Sequence, residues 1–152
     1  MEQQILDSDL ITNINKPFDW REHDASRKKR FLNYLVDVVA FLLLSFAAGF
    51  LLAITGNADV ATDTIYSRLI SVAILCSYYF VFEASSGKTL GKVITKTRVV
   101  DEQGEKPTPT NILGRTLCRL IPFDALSFLG SGLGWHDSIS KTYVVNDATM
   151  PF

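Results

Sequence analysis

Apolar residues along the chain gather into three blocks separated by polar stretches. The first, residues 31–54, reads FLNYLVDVVAFLLLSFAAGFLLAI and holds one charge, Asp37, in 24 residues. As a helix it would be about 36 Å long, enough to cross a hydrocarbon core of roughly 30 Å with some tilt. A buried helix of a small soluble domain would carry a polar face, and beyond its first two turns this one has almost none. It predicts a transmembrane helix. The second block, residues 65–84, is 20 residues long and keeps its charges, Arg68 and Glu83, near its ends, where both can snorkel towards headgroups. It predicts a second span. Residues 55–64, TGNADVATDT, are turn-forming and free of Lys and Arg, so the two spans form a helical hairpin.

The third block is more broken. Behind Pro107 and Pro109, Thr110 is a candidate N-cap, and apolar residues follow at Ile112, Leu113, Leu117, Leu120 and Ile121. Arg115 and Arg119 lie four apart on one side, giving an amphipathic helix that Pro122 ends or kinks. A shorter apolar run, residues 123–129, precedes Gly130, Gly132 and Gly134. Neither half spans a bilayer alone, and joined they would place two arginines and Asp124 in lipid. The expectation for residues 110–130 is an interfacial or re-entrant element packed against the hairpin, with a third full span as the alternative. Residues 93–100 are β-branched and run into the turn cluster 101–105, and residues 141–146 form a similar piece. Two such strands can pair as a small cytosolic sheet.

The expected fold class is therefore an all-α membrane protein, a two-span hairpin with an interfacial or re-entrant third element and a small cytosolic β element. Residues 1–26 are expected as a cytosolic tail, with Pro17, Phe18 and Trp20 as an aromatic anchor at the interface. Residues 27–146 form the membrane domain and residues 147–152 a C-terminal tail.

Charge sets the orientation. The 15 basic and 16 acidic residues leave a net of -1, which argues against a nucleic-acid partner. Lys16, Arg21, Arg27, Lys28, Lys29 and Arg30 precede the first span, and Lys88, Lys92, Lys96, Arg98 and Lys106 follow the second, against none in the connecting loop. By the positive-inside rule both ends of the hairpin, the N-terminus included, face the cytoplasm. No cleavable signal peptide is visible, since the first apolar run begins only at Phe31 and is too long for one. Cys76 and Cys118 lack metal-ligand spacing and read as free packing thiols.

Candidate chemistry is sparse. Gly87-Lys88-Thr89 has the end of a phosphate-binding loop, but the first glycine of that motif would fall at Phe82, so no nucleotide site is expected. Asp37 would lie about 10 Å deep, where an unpaired carboxylate costs on the order of 2.5–3.5 kcal/mol. It must be protonated, paired or hydrated. Arg115 or Arg119 are its best partners, which makes it either a buried tie or an ion- or proton-handling group. Arg30, two turns earlier, is too distant for a direct bond. Ser45, Gly49 and Ala53 repeat a small-xxx-small pattern that admits a close helix neighbour, the second span or another copy. His136 has no companion ligand, and Asp137 is expected to cap a turn or bind an arginine of the third element. No metal, cofactor or catalytic constellation is expected, so the chain is not expected to be an enzyme.

Three pieces stand in order: Arg30 opening the first span with Asp37 two turns in; Thr89-Leu90-Gly91-Lys92 with Val99-Val100-Asp101 and Gly104; and His136-Asp137-Ser138-Ile139-Ser140-Lys141-Thr142. Together they resemble the RDD family of small bacterial integral membrane proteins, named for one arginine and two aspartates, which map onto Arg30, Asp37 and Asp137. The resemblance covers residues 27–145. It implies a multi-pass protein of the bacterial inner membrane and a transport role, cation/proton exchange included, which a chain of two spans could fill only as a subunit of an oligomer. The other reading is a non-catalytic anchor, assembly or accessory module whose cytosolic face binds a membrane partner protein. The resemblance also reads residues 85–92 as a cytosolic elbow, with Lys88 and Lys92 at anionic lipid headgroups.

Overall fold

A computed structural model describes residues 18–121 and 134–149 of the chain. Helix α1 (Arg27–Ile54) starts one turn before the apolar block, where the Ser26 hydroxyl accepts from the Lys29 N–H. A short helix α2 (Ala58–Thr62) occupies the loop expected only to turn. Helix α3 (Thr64–Ser86) begins at Asp63, whose carboxylate accepts from the N–H groups of Ile65 and Tyr66 at 2.8 and 3.0 Å. It ends at Gly87, whose left-handed backbone (φ 69°) turns the chain out of the helix. Helices α1 and α3 are both long and apolar enough to cross a membrane. They expose Leu43, Phe46, Phe50, Ile65 and Leu69, side chains that water would penalise and hydrocarbon accepts.

At the open end of this hairpin sits a small cap. It comprises α4 (Leu90–Thr95), β1 (Thr97–Val100), α5 (Pro109–Cys118), α6 (Trp135–Ser140) and β2 (Tyr143–Asn146). The strands pair antiparallel, from Thr97 opposite Asn146 to Val100 opposite Tyr143, so the expected small sheet is present. Residues 93–95, expected as strand, instead complete α4. Packing of α4 across α1 overrides their β-branched preference, and Lys96, left-handed at φ 55°, turns the chain into β1. The N-cap of α5 is Thr108 rather than Thr110. Its hydroxyl accepts from the Asn111 N–H, and Pro109 takes the first helical position, where a missing N–H costs nothing. Pro122, the run at 123–129, and Gly130 and Gly132 lie outside the described residues.

Part of the expected tail belongs to the fold. Trp20 stacks on Tyr143 with ring centroids 4.2 Å apart, and the Ala25 N–H donates to the Val144 carbonyl at 2.9 Å. Phe18 stacks on His23, and with Trp20 it packs against the small core of Val100 and Val145. Both rings expected as a membrane anchor are thus committed to the cap, where they cover the apolar face of Val100 and Val145; Pro17 lies outside the described residues. Cys76 and Cys118 are free thiols, the latter buried.

Candidate functional site

Asp37 is buried, and its oxygens accept from three donors, the Tyr78 hydroxyl at 2.8 Å, the Thr89 hydroxyl at 2.7 Å and the Gly91 N–H at 2.9 Å. One carboxylate of α1 thereby ties together α3 and the elbow leading into α4. The approach needs glycine at position 91, since a Cβ there would come within 2.8 Å of the Asn33 Cα, a backbone atom that cannot turn aside. Beside it, the Asn33 amide lies between the hydroxyls of Thr95 and Thr97, at 2.5 and 3.1 Å. The expected pairing of Asp37 with Arg115 or Arg119 does not occur. Helix α5 packs along α3 and α6, which carries both arginines to other carboxylates.

Those carboxylates are Glu83 and Asp137, both fully buried. Glu83 accepts from Lys92 Nζ at 2.5 Å, Arg119 Nη2 at 2.9 Å and Arg115 Nε at 3.1 Å. Asp137 accepts from Arg30 Nη1 at 2.6 Å and from Arg115 Nη1, with His136 Nε2 at 3.5 Å. Arg115 thus bridges the two acids and also donates to the Thr142 hydroxyl at 2.6 Å. Arg30 donates further to Asp24 at 2.5 Å and to the Ala25 carbonyl at 3.1 Å. Arg119 lies over the Tyr79 ring, 3.8 Å from its centroid.

Burial of so many ions is tolerable only because each carboxylate is surrounded by donors. Burial works to raise the Asp137 carboxyl, but Arg115, His136 and Arg30 outweigh it and hold it well below its usual range. For Arg119, burial favours the neutral form, yet Glu83 and Tyr79 reverse this and hold it charged. The Lys92 ammonium responds the other way. Burial pushes it down to about 8 from 10.5, with Glu83 opposing the fall and Arg115 and Arg119 adding to it. At the rim, partial burial of Asp147 is outweighed by its hydrogen bonds from Lys88 and Arg98, and its pKa is lowered.

Between α1, α3 and the cap lies a cavity of about 460 Å³, lined at its charged end by Arg30, Asp37, Lys92, Arg115, Arg119 and Asp137. The three signature residues are divided within it, Arg30 meeting Asp137 and Asp37 standing apart with its own donors. Lys92, expected at lipid headgroups, is 3% exposed and belongs to Glu83, because α4 folds its side chain inward under the cap; Lys88 pairs with Asp147. In the small-residue row, a Cβ on Gly49 would meet nothing within 4 Å, so the second span leaves open space at that position. Glu83 was the residue that the sequence hid. Its position near a helix end fitted snorkelling, and the available signal was its place one turn after Tyr79 on the same face.

Buried ion pairs joining an apolar hairpin to a polar cap define a small membrane protein with transmembrane helices. A family model described as "RDD family" matches residues 25–142, most of the chain, and the protein belongs to that family. No curated protein and no solved structure gives a match.

Proposed function

We propose that this is a non-catalytic module of the bacterial inner membrane, crossing it twice with both ends in the cytoplasm and presenting its cap there to a membrane partner protein. The observation that carries this reading is the saturation of the buried acids. Asp37 and Glu83 each accept from three groups fixed by packing and Asp137 from two arginines, so moving an ion or proton through any of them would break the tie between hairpin and cap. The described part of the third apolar block, residues 110–121, serves as an interfacial element, a reading supported by the strands at either side of the block pairing with each other. The basic residues flanking the spans support the orientation.

A second reading, a subunit of an oligomeric transporter of cations, protons or small solutes, is favoured by the cavity beside Asp37. Two spans cannot enclose an aqueous path, so it requires several copies, with the open groove at Gly49 as their meeting point. The oligomeric state in nanodiscs separates the two. The module reading expects a monomer when no partner is present, and a closed ring of copies that a bulky residue at Gly49 disperses would favour the transporter.

A further inference from the structure

The cavity has two unlike ends. Arg115 is fully buried, and its Nη2 has no hydrogen-bond partner among the described residues; Arg119 Nη1 is in the same condition. Both residues line the cavity. A buried guanidinium N–H left unpaired is costly, so these two donors call for an acceptor that the described residues do not supply. The two cavity-lining carboxylates are already taken, Asp37 by its three donors and Asp137 by Arg30 and Arg115.

Away from this end the wall becomes apolar, formed by Val38, Phe41, Leu42, Leu75 and Ile121. From Arg30 to Leu42 the cavity follows α1 for about 18 Å. Leu42 is 59% exposed on the face that meets hydrocarbon, so the apolar end opens sideways, towards the bilayer. A ligand matching both ends is an anion with a hydrocarbon chain, its head at interface depth and its chain entering laterally.

We propose that the cavity binds one anionic phospholipid, its phosphate accepting from Arg115 Nη2 and Arg119 Nη1 and an acyl segment lying along Val38, Phe41 and Leu75. Inorganic phosphate would offer the donors the same chemistry without using the apolar wall. The site stands whether the cap serves a partner or a transport path.

The test uses the full chain in mild detergent, incubated separately with phosphatidylglycerol, phosphatidylcholine or inorganic phosphate. Native mass spectrometry reads the retained ligand, and thiol protection of Cys118 reports that each variant is folded. The expected result is one phosphatidylglycerol held per chain in preference to phosphatidylcholine. Val38→Trp, which fills the wall without touching an ion pair, should lower retention, and Arg119→Gln should weaken it about tenfold through the lost charge-assisted bond. Equal retention of phosphatidylcholine, thermal protection by inorganic phosphate as large as by the lipid, or full retention by a folded Val38→Trp protein would each overturn the proposal.

Discussion

Substituting Asp37 separates a tie made of neutral donors from one made of arginines. Asp37→Ala removes three hydrogen bonds to a charged acceptor, at 2.7, 2.8 and 2.9 Å, and strands the Gly91 N–H against α1. At about 1.5–3 kcal/mol for each such bond, set against relief of several kcal/mol for no longer burying a carboxylate, the net loss is about 2–4 kcal/mol. Asp37→Asn keeps an oxygen for Tyr78 and Gly91, while its new NH₂ group can donate to the Thr89 hydroxyl, which turns to accept. That loss should be smaller, about 1–2 kcal/mol. The assay is thermal unfolding in mild detergent followed by reaction of the buried Cys118 thiol, which is shielded in the fold. Stability should fall in the order wild type, Asn, Ala, and replacing Arg115 or Arg119 as well should recover nothing. Recovery by either arginine substitution would refute the assignment of Asp37 to neutral donors.

Gly91→Ala should be among the most damaging single-methyl additions, costing about 1–3 kcal/mol from overpacking alone, whereas Gly49→Ala, with open space around it, should be close to neutral in the same unfolding assay. Lys92 titrates lower folded than unfolded, so between about pH 8 and 10.5 the unfolded chain binds the extra proton and stability attributable to Lys92 should rise with pH. The difference in unfolding midpoint between wild type and Lys92→Met, followed across that interval, checks the sign. Cysteines at Asn57 and Glu102, both exposed, should label from opposite sides of the membrane, with Ala148 behaving like Glu102. Glu102 is preferred to neighbouring Gly104, whose φ of 84° and closeness to Phe18 leave no room for a side chain.

The hairpin was legible in the sequence because crossing a bilayer demands long apolar runs, and α1 and α3 carry them with little else. The two strands were legible from β-branched runs bounded by turns, though the boundary of β1 slipped because Val93 and Ile94 carry the same preference inside α4. Of the site, the sequence showed that Asp37 needs partners and that an arginine of the third element could meet Asp137. Which partners Asp37 has depends on the angle at which α4 crosses α1, and that follows from the small size of Gly91, not from any charge pattern. Lys92 and Glu83 misled for a common reason. Near the end of an apolar segment a charge can snorkel outward or turn inward under a cap, and local sequence does not distinguish the two.

In the proposed module the buried acids tie the hairpin to its cap and carry no ion. Purified protein reconstituted into liposomes, with an imposed proton or cation gradient and an internal reporter dye, tests this directly. The predicted result is dissipation no faster than in protein-free liposomes, for wild type and for Asp37→Asn alike. A wild-type flux that Asp37→Asn abolishes, in a variant still folded by the Cys118 criterion, would contradict the account and make this carboxylate part of a transport path.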